Sequence, residues 1–264
     1  MSKIGFIGCG NMGGAIARAV SRVLTTKVYI SEPNADKAQA MREEIGCEIS
    51  DSAAICRECD FIFLAIKPNL YPAVVPTLRA ALDENESAVL VSMAAGISLE
   101  KLESLVGERK MIRIMPNTPV AVGKGMTLWC ASKAVSEADA AEFLRVMESS
   151  GRLDRLDEKF IDAASALSGC GPAFAYMFGE ALSDGAVACG LPRDKAMLYA
   201  AEMLSGAAEM MLRSGKHPGV LKDEVCSPGG STIEGVKALE EGAFRGVCVS
   251  AVVSAYNKTK ALGK

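Results

Sequence analysis

Met1-Ser2-Lys3-Ile4-Gly5-Phe6-Ile7-Gly8-Cys9-Gly10-Asn11-Met12-Gly13-Gly14 decides how the chain is read. Ile4 to Ile7 is a short apolar run of the kind found in a strand covered on both faces. Gly8, Gly10 and Gly13 follow at G-x-G-x-x-G spacing, and Ala15-Ile16-Ala17-Arg18-Ala19-Val20 continues with helical composition. Each glycine has a physical task in a dinucleotide site. The first permits a tight turn, the second lets the backbone approach a pyrophosphate, and the third lets helix and strand pack closely. The helix start then offers unpaired N–H groups and a partial positive charge to phosphates. A glycine-rich turn without a ligand is the plainer alternative. Placement between a strand and a helix argues for the dinucleotide.

Outward from this stretch, residues 27–30 read as a second strand and 35–45 as a helix. The residue at the tip of such a second strand separates the two nicotinamide cofactors. Glu32 suits a ribose 2′-hydroxyl and NADH, whereas Ser31, Asn34 and Lys37 suit a 2′-phosphate and NADPH. No arginine stands in this segment, so both readings stand. Residues 60–66, 88–96 and 110–119 are further strands, apolar nearly throughout, with helical stretches at 71–82 and 98–106 between them. Strands alternating with helices predict a parallel sheet covered on both faces, a Rossmann-type α/β arrangement. Ligands of such sheets sit beyond the carboxyl ends of the strands. There the sequence places Gly8 to Gly13, Lys67-Pro68, Ala94-Ala95-Gly96 and Pro116-Asn117-Thr118. Residues 123–131 are expected to add an antiparallel edge strand, 137–147 a helix and 151–156 a final strand.

From about residue 160 the strand signals stop, and alanine, methionine, glycine and leucine dominate. Helices are expected at 160–167, 172–188, 193–213, 232–241 and 244–261. Several are apolar on more than one face, as in 197–211 and 247–256, and such a helix must be buried on most sides. About 100 residues of helix cannot cover themselves around one small core. We therefore expect two domains, a dinucleotide-binding sheet domain at 1–157 and an all-α domain at 158–264, the second forming an interwoven homodimer.

Composition narrows the function classes. Of 264 residues, 50% are hydrophobic and 23% charged, with a net charge of −3, so there is no basic footprint for nucleic acid or anionic membrane. No apolar run approaches the roughly 18–20 residues of a spanning helix, and no signal-peptide pattern precedes the first strand. Nine cysteines scattered among apolar neighbours suit reduced thiols and a cytoplasmic setting. Cys56-x-x-Cys59 is the one close pair. With the single histidine, His217, far off in sequence, two packed thiols are expected there rather than a metal site.

Two glycine-rich segments interrupt the helical half: 168–173, Ser-Gly-Cys-Gly-Pro-Ala, and 226–232, Cys-Ser-Pro-Gly-Gly-Ser-Thr. The second runs directly into a helix, so several backbone N–H groups point outward and form an anion site. The plainer alternative is a helix cap closed by Ser231 or Thr232. His217, followed by Pro218, reads as a turn cap rather than a general base.

At this point the chain resembles pyrroline-5-carboxylate reductases. The matching runs are Phe6 to Gly13, Ala65-Ile66-Lys67-Pro68, Ser92-Met93-Ala94-Ala95-Gly96, Arg113 to Pro119, Leu167 to Ala173, Gly190-Leu191-Pro192-Arg193, and His217 to Glu234, which carries the family signature. They span essentially the whole chain in order. Cys170 stands where the family usually has serine, and Ser231 where threonine or alanine is common. Neither departure removes a backbone donor.

The resemblance implies hydride transfer from NADPH, or from NADH, to the C=N carbon of 1-pyrroline-5-carboxylate, giving L-proline in the last step of proline synthesis. It further implies a substrate carboxylate on the N–H groups of Gly229, Gly230 and Ser231 beside Ser227, and the Thr232 hydroxyl on the imine nitrogen. Gly8, Gly10, Asn11, Met12, Gly13 and Ser31 would hold the dinucleotide, with Ala65, Lys67, Pro68, Met93, Ala94 and Asn117 lining its nicotinamide end. A homodimer, and dimers assembling into a decamer, go with it. Two rivals are weighed against this reading. A β-hydroxyacid-type dehydrogenase needs a lysine on the helix after its glycine run, and residues 171–177 offer none. A dimeric sensor of NAD(P)H would have no use for a second anion-binding loop.

Overall fold

The computed structural model describes residues 2–23 and 26–262. Met1, Leu24, Thr25, Gly263 and Lys264, and with them the outer ends of the two expected domains, lie outside the described residues. The sheet half runs β1 (Ser2–Ile7), α1 (Asn11–Ser21), β2 (Thr26–Ser31), α2 (Ala35–Ile45), β3 (Glu48–Ile49), α3 (Ser52–Glu58) and β4 (Phe61–Leu64). It continues through α4 (Tyr71–Val74), α5 (Arg79–Asp83), β5 (Val89–Ser92), α6 (Leu99–Val106) and β6 (Met111–Met115). β7 (Gly125–Ala131), α7 (Glu137–Val146), β8 (Gly151–Arg155) and α8 (Glu158–Ser168) complete it. The eight strands lie in the order β3-β2-β1-β4-β5-β6-β7-β8. The order reverses between β1 and β4, the switch point at which an open α/β sheet leaves a crevice.

Two expectations need correcting. The 123–131 strand is antiparallel to β6 as expected, but β8 pairs alongside it in parallel, so β8 rather than β7 forms the edge. The 71–82 segment is not one helix but alternates α4 and α5 with 3-10 turns at Pro68–Leu70 and Val75–Leu78. Pro72 and Pro76 lack the N–H a continuous helix would use, and each prolyl ring crowds the turn before it.

Alternation along the strands sorts the side chains onto two faces. On one, Ile4, Phe6, Phe61, Phe63, Val89, Val91, Ile112 and Ile114 meet Ile16 and Val20 of α1 and Phe143 and Val146 of α7. Phe6 and Phe63 stack with centroids 4.7 Å apart, and Trp129 lies against Phe143 at 5.5 Å. On the other, Ile7, Ile62, Leu64, Leu90 and Met111 are covered by Ile55, Tyr71, Val75, Leu82, Leu102 and Val106. α3 comes down directly on β1, where a side chain at Gly5 would meet Ile55 Cγ2 at 2.2 Å and Cys59 Sγ at 3.0 Å. Cys56 and Cys59 are therefore packing thiols; burial pushes them up to about 11 and about 12.

α8 is tied to the sheet by charge. Arg113 of β6, 3% exposed, reaches Glu158 at 3.1 Å and Asp162 at 2.7 Å, and Glu158 Oε1 also accepts the N–H of Leu99 at the start of α6. A buried cation answered by two carboxylates is strongly destabilised if either partner is lost.

The remaining helices are α9 (Gly171–Ala188), α10 (Arg193–Ser214), α11 (Pro218–Val225), α12 (Ser231–Glu241) and α13 (Phe244–Leu262). Contacts divide the chain into two compact units, Met1–Cys170 with Ala255–Lys264, and Gly171–Ser254. Within the second, only Ser183 and Ala196 are buried among the described residues. Met177 and Leu212 are each 70% exposed, and Tyr176, Met197, Val247 and Val249 are exposed as well. No helix among the described residues is long and apolar enough to cross a membrane.

Candidate functional site

The carboxyl ends of β2, β1, β4, β5 and β6 lie side by side, and this adjacency gathers the cofactor candidates of the first unit. Gly8 turns the chain out of β1 at φ 91°, in the left-handed region, with its N–H on Ser31 O at 2.8 Å; a Cβ there would sit 2.7 Å from Ala65 O. Gly13 lets α1 approach, since its Cβ would lie 2.5 Å from Ala65 Cβ and 2.9 Å from Gly8 O. Gly10 is the N-cap of α1, makes no side-chain capping bond, and would carry a Cβ with nothing within 4 Å. With a glycine as N-cap, no capping side chain closes the first turn of α1, so its N–H groups stay available beside the open space at Gly10. This is the cradle a pyrophosphate needs, and the residues present fit a bound dinucleotide.

At the tip of β2 the side chains are committed in detail. Glu32 Oε2 accepts from Cys9 N–H at 2.8 Å and Oε1 from Asn34 N–H at 3.1 Å, so its carboxylate ties the glycine loop to the β2–α2 turn. The Ser31 hydroxyl pairs with that of Ser52 at 2.8 Å. Asn34 Oδ1 caps α2 by accepting from Lys37 N–H at 2.9 Å. Cys9, buried beside Glu32, is pushed up to about 12, by burial first and by the carboxylate second, so it is an inert thiol at the loop.

Beyond β4 and β5, Lys67 and Pro68 are exposed, Met93 is half-buried and Ala94 is buried. A cleft of about 800 Å³ opens here, lined by Pro68, Asn69, Ala95, Gly96, Ser98 and Lys101. Tyr71 clamps the ends of β4 and β5 together: the phenol donates to Leu64 O at 2.9 Å and pairs with Ser92 Oγ at 3.1 Å, and burial pushes it up to about 12. Beyond β6, Asn117 is 8% exposed; its amide donates to Ser168 O at 2.9 Å and accepts from Met126 N–H at 2.9 Å. The neighbouring Ser168 Oγ is buried with no hydrogen-bond partner among the described residues. Nothing in the sequence separates Tyr71 from a surface tyrosine or announces the bonds of Arg113, and both positioning roles appear only in the structure.

The second anion site belongs to the other unit. His217 caps α11, its Nδ1 accepting from Gly219 N–H at 3.0 Å, which is the turn role its sequence context suggests. After α11, Gly229 takes φ 67° and Gly230 N–H bonds Ser227 O at 3.0 Å. α12 opens at Ser231 with Gly230 as N-cap and no side-chain capping bond, so neither Ser231 nor Thr232 closes the first turn. Ser227, Gly229, Ser231 and Thr232 are all exposed, leaving N–H groups and three hydroxyls around one helix start. The structure thus gathers the cofactor candidates in the sheet unit and Ser227 to Thr232 in the helical one.

Comparison with known proteins agrees with both halves. Residues 158–262 match the family model described as pyrroline-5-carboxylate reductase dimerisation, and residues 3–96 the one described as NADP oxidoreductase, coenzyme F420-dependent. The chain is 40% identical over 267 residues to the pyrroline-5-carboxylate reductase of Escherichia coli (strain K12), covering 99% of this chain and 98% of the relative. Against the Pisum sativum pyrroline-5-carboxylate reductase it is 42% identical over 262 residues, covering 98% and 95%. Among solved structures, the Plasmodium falciparum pyrroline carboxylate reductase with NADP bound superposes with a TM-score of 0.90 at 33% identity, covering 100% of this chain and 98% of that one.

Proposed function

The chain belongs to the pyrroline-5-carboxylate reductase family, and we propose on that premise that it reduces 1-pyrroline-5-carboxylate to L-proline, the last step of proline biosynthesis. The observation that carries this reading is the uncapped start of α12 after Gly229-Gly230, an anion site in addition to the one at the glycine loop. A bare dinucleotide sensor would need only the first.

Gly8, Gly10, Asn11, Met12 and Gly13 hold the pyrophosphate of the dinucleotide, with Ser31 at its adenosine end. Ala65, Lys67, Pro68, Met93 and Ala94 form the nicotinamide end, and Asn117 shapes it by fixing the backbone at Ser168 and Met126. Bound there, reduced nicotinamide from NADPH or NADH supplies a hydride. Backbone N–H groups of Gly229, Gly230 and Ser231 hold the substrate carboxylate beside Ser227, and the Thr232 hydroxyl accepts the iminium N–H. With the nitrogen protonated, the ring carbon is already electrophilic; as it gains hydride, the C=N electron pair moves to nitrogen and the product is the neutral ring amine. Positioning supplies most of the acceleration, which suits a site almost without titratable groups.

The chain acts as a homodimer through its helical half, consistent with the dimerisation family matched at 158–262. We extend this to dimers assembling into a decamer and to the cytoplasm, the latter because all nine cysteines are free thiols. The function is tested by following reduced-nicotinamide absorbance with 1-pyrroline-5-carboxylate. Consumption of cofactor with proline as product is expected, and no consumption with either cofactor would refute the reductase.

A further inference from the structure

The bonds at the β2 tip bear on which dinucleotide is held. Glu32 has both carboxylate oxygens engaged by backbone donors, Cys9 N–H at 2.8 Å and Asn34 N–H at 3.1 Å, so the anion is fixed against the glycine loop rather than free to swing into solvent. An ionised carboxylate offers about four lone-pair positions, and two remain for other donors. A ribose 2′-hydroxyl is such a donor. A 2′-phosphate is not: it brings further negative charge to an anion it cannot hydrogen-bond.

The surroundings supply little to offset that repulsion. Arg18, the cation on α1, is held in a fork by Glu44, with Nε at 2.6 Å and Nη2 at 2.7 Å from its two oxygens. Ser31 and Asn34, which a 2′-phosphate would call on, have turned to Ser52 and to the cap of α2 and are uncharged in any case. Lys37 remains, with Asp36 beside it on the same exposed turn.

We propose that Glu32 is the specificity-determining residue of the cofactor site and makes the chain prefer the dinucleotide with a free 2′-hydroxyl, NADH, over its 2′-phosphorylated counterpart. The inference rests on the dinucleotide half of the reading above and is independent of the substrate. Titrating the intact protein with NADH and with NADPH, and reading nicotinamide fluorescence without substrate, tests it. Charges held a few ångströms apart at a half-buried site are expected to separate the two dissociation constants by at least about tenfold in favour of NADH. Glu32→Gln, which keeps an acceptor for Cys9, is expected to narrow that ratio at least about fivefold, chiefly by tightening NADPH. Raising salt on the unaltered protein is expected to narrow it as well, because the repulsion is screened. Equal binding, tighter NADPH, or a ratio that neither Glu32→Gln nor salt moves would overturn the assignment of Glu32. Failure of both dinucleotides to bind would instead bring down the cofactor reading on which it stands.

Discussion

In the sheet unit Phe6 and Phe63 stack with no exposed surface, while in the helical unit Met177 and Leu212 stand 70% exposed. Both halves are rich in apolar side chains, yet one covers its own and the other does not. The difference lies in what each element packs against. A parallel sheet offers two broad faces, and α1 and α7 on one side with α3 to α6 on the other close both within a single chain. α9 and α10 lean on each other, but with alanine and glycine along them, side chains such as Tyr176, Met177, Met197, Leu198, Met210 and Leu212 are left exposed. Small residues favour close helix contact, and an uncovered apolar surface here agrees with the match of residues 158–262 to the dimerisation family. The sheet unit is therefore a fold, and the helical unit is half of one.

Substitutions separate the two units, and the largest effect is expected at the uncovered surface. Met177→Asp costs nothing in a solvated side chain but buries an unpaired carboxylate in a dimer. Turnover is expected to fall at least about a hundredfold, while dinucleotide binding to the sheet unit survives; a variant with full activity would mean that Met177 stays in water. Phe63→Ala removes half of a buried stack and is expected to cost about 3–5 kcal/mol in denaturant unfolding, at any protein concentration. A cost that varied with concentration would show that the sheet unit, too, leans on a partner.

How far these features could be read in advance also follows the division. The sheet was legible because fully covered strands are apolar end to end: residues 60–66 and 110–119 announce themselves, and the structure places β4 and β6 inside them, with β6 ending at Met115 before Pro116. What failed was local or depended on neighbours. Pro72 and Pro76 break a helix whose apolar pattern looks continuous, and the edge position of β8 is set by a pairing that residues 151–156 do not encode. β3 is two residues long and too short to carry a period. At the site, glycine spacing reveals the phosphate loop because spacing is itself the geometry. The carboxylate of Glu32 bonding back to Cys9, the Ser31–Ser52 pair and the Tyr71 clamp join residues 23, 21 and 21 positions apart, and no local pattern carries them.

Smaller effects test the chemistry carried by the helical unit. Thr232→Ala is expected to lower kcat at least about tenfold with dinucleotide binding unchanged, as the hydroxyl at the imine is lost; an unaltered kcat would leave the backbone donors of the α12 start acting alone. His217→Ala removes only the α11 cap, so turnover is expected to stay within about tenfold of the parent. A thousandfold loss would make His217 a participant in catalysis.

The claim that the helical unit is completed by a second copy is tested most directly by the molar mass of the unaltered protein in solution. Light scattering at micromolar concentration is expected to give twice the mass of one 27.7 kDa chain, or an even multiple of it. A stable, active species with the mass of a single chain would contradict it.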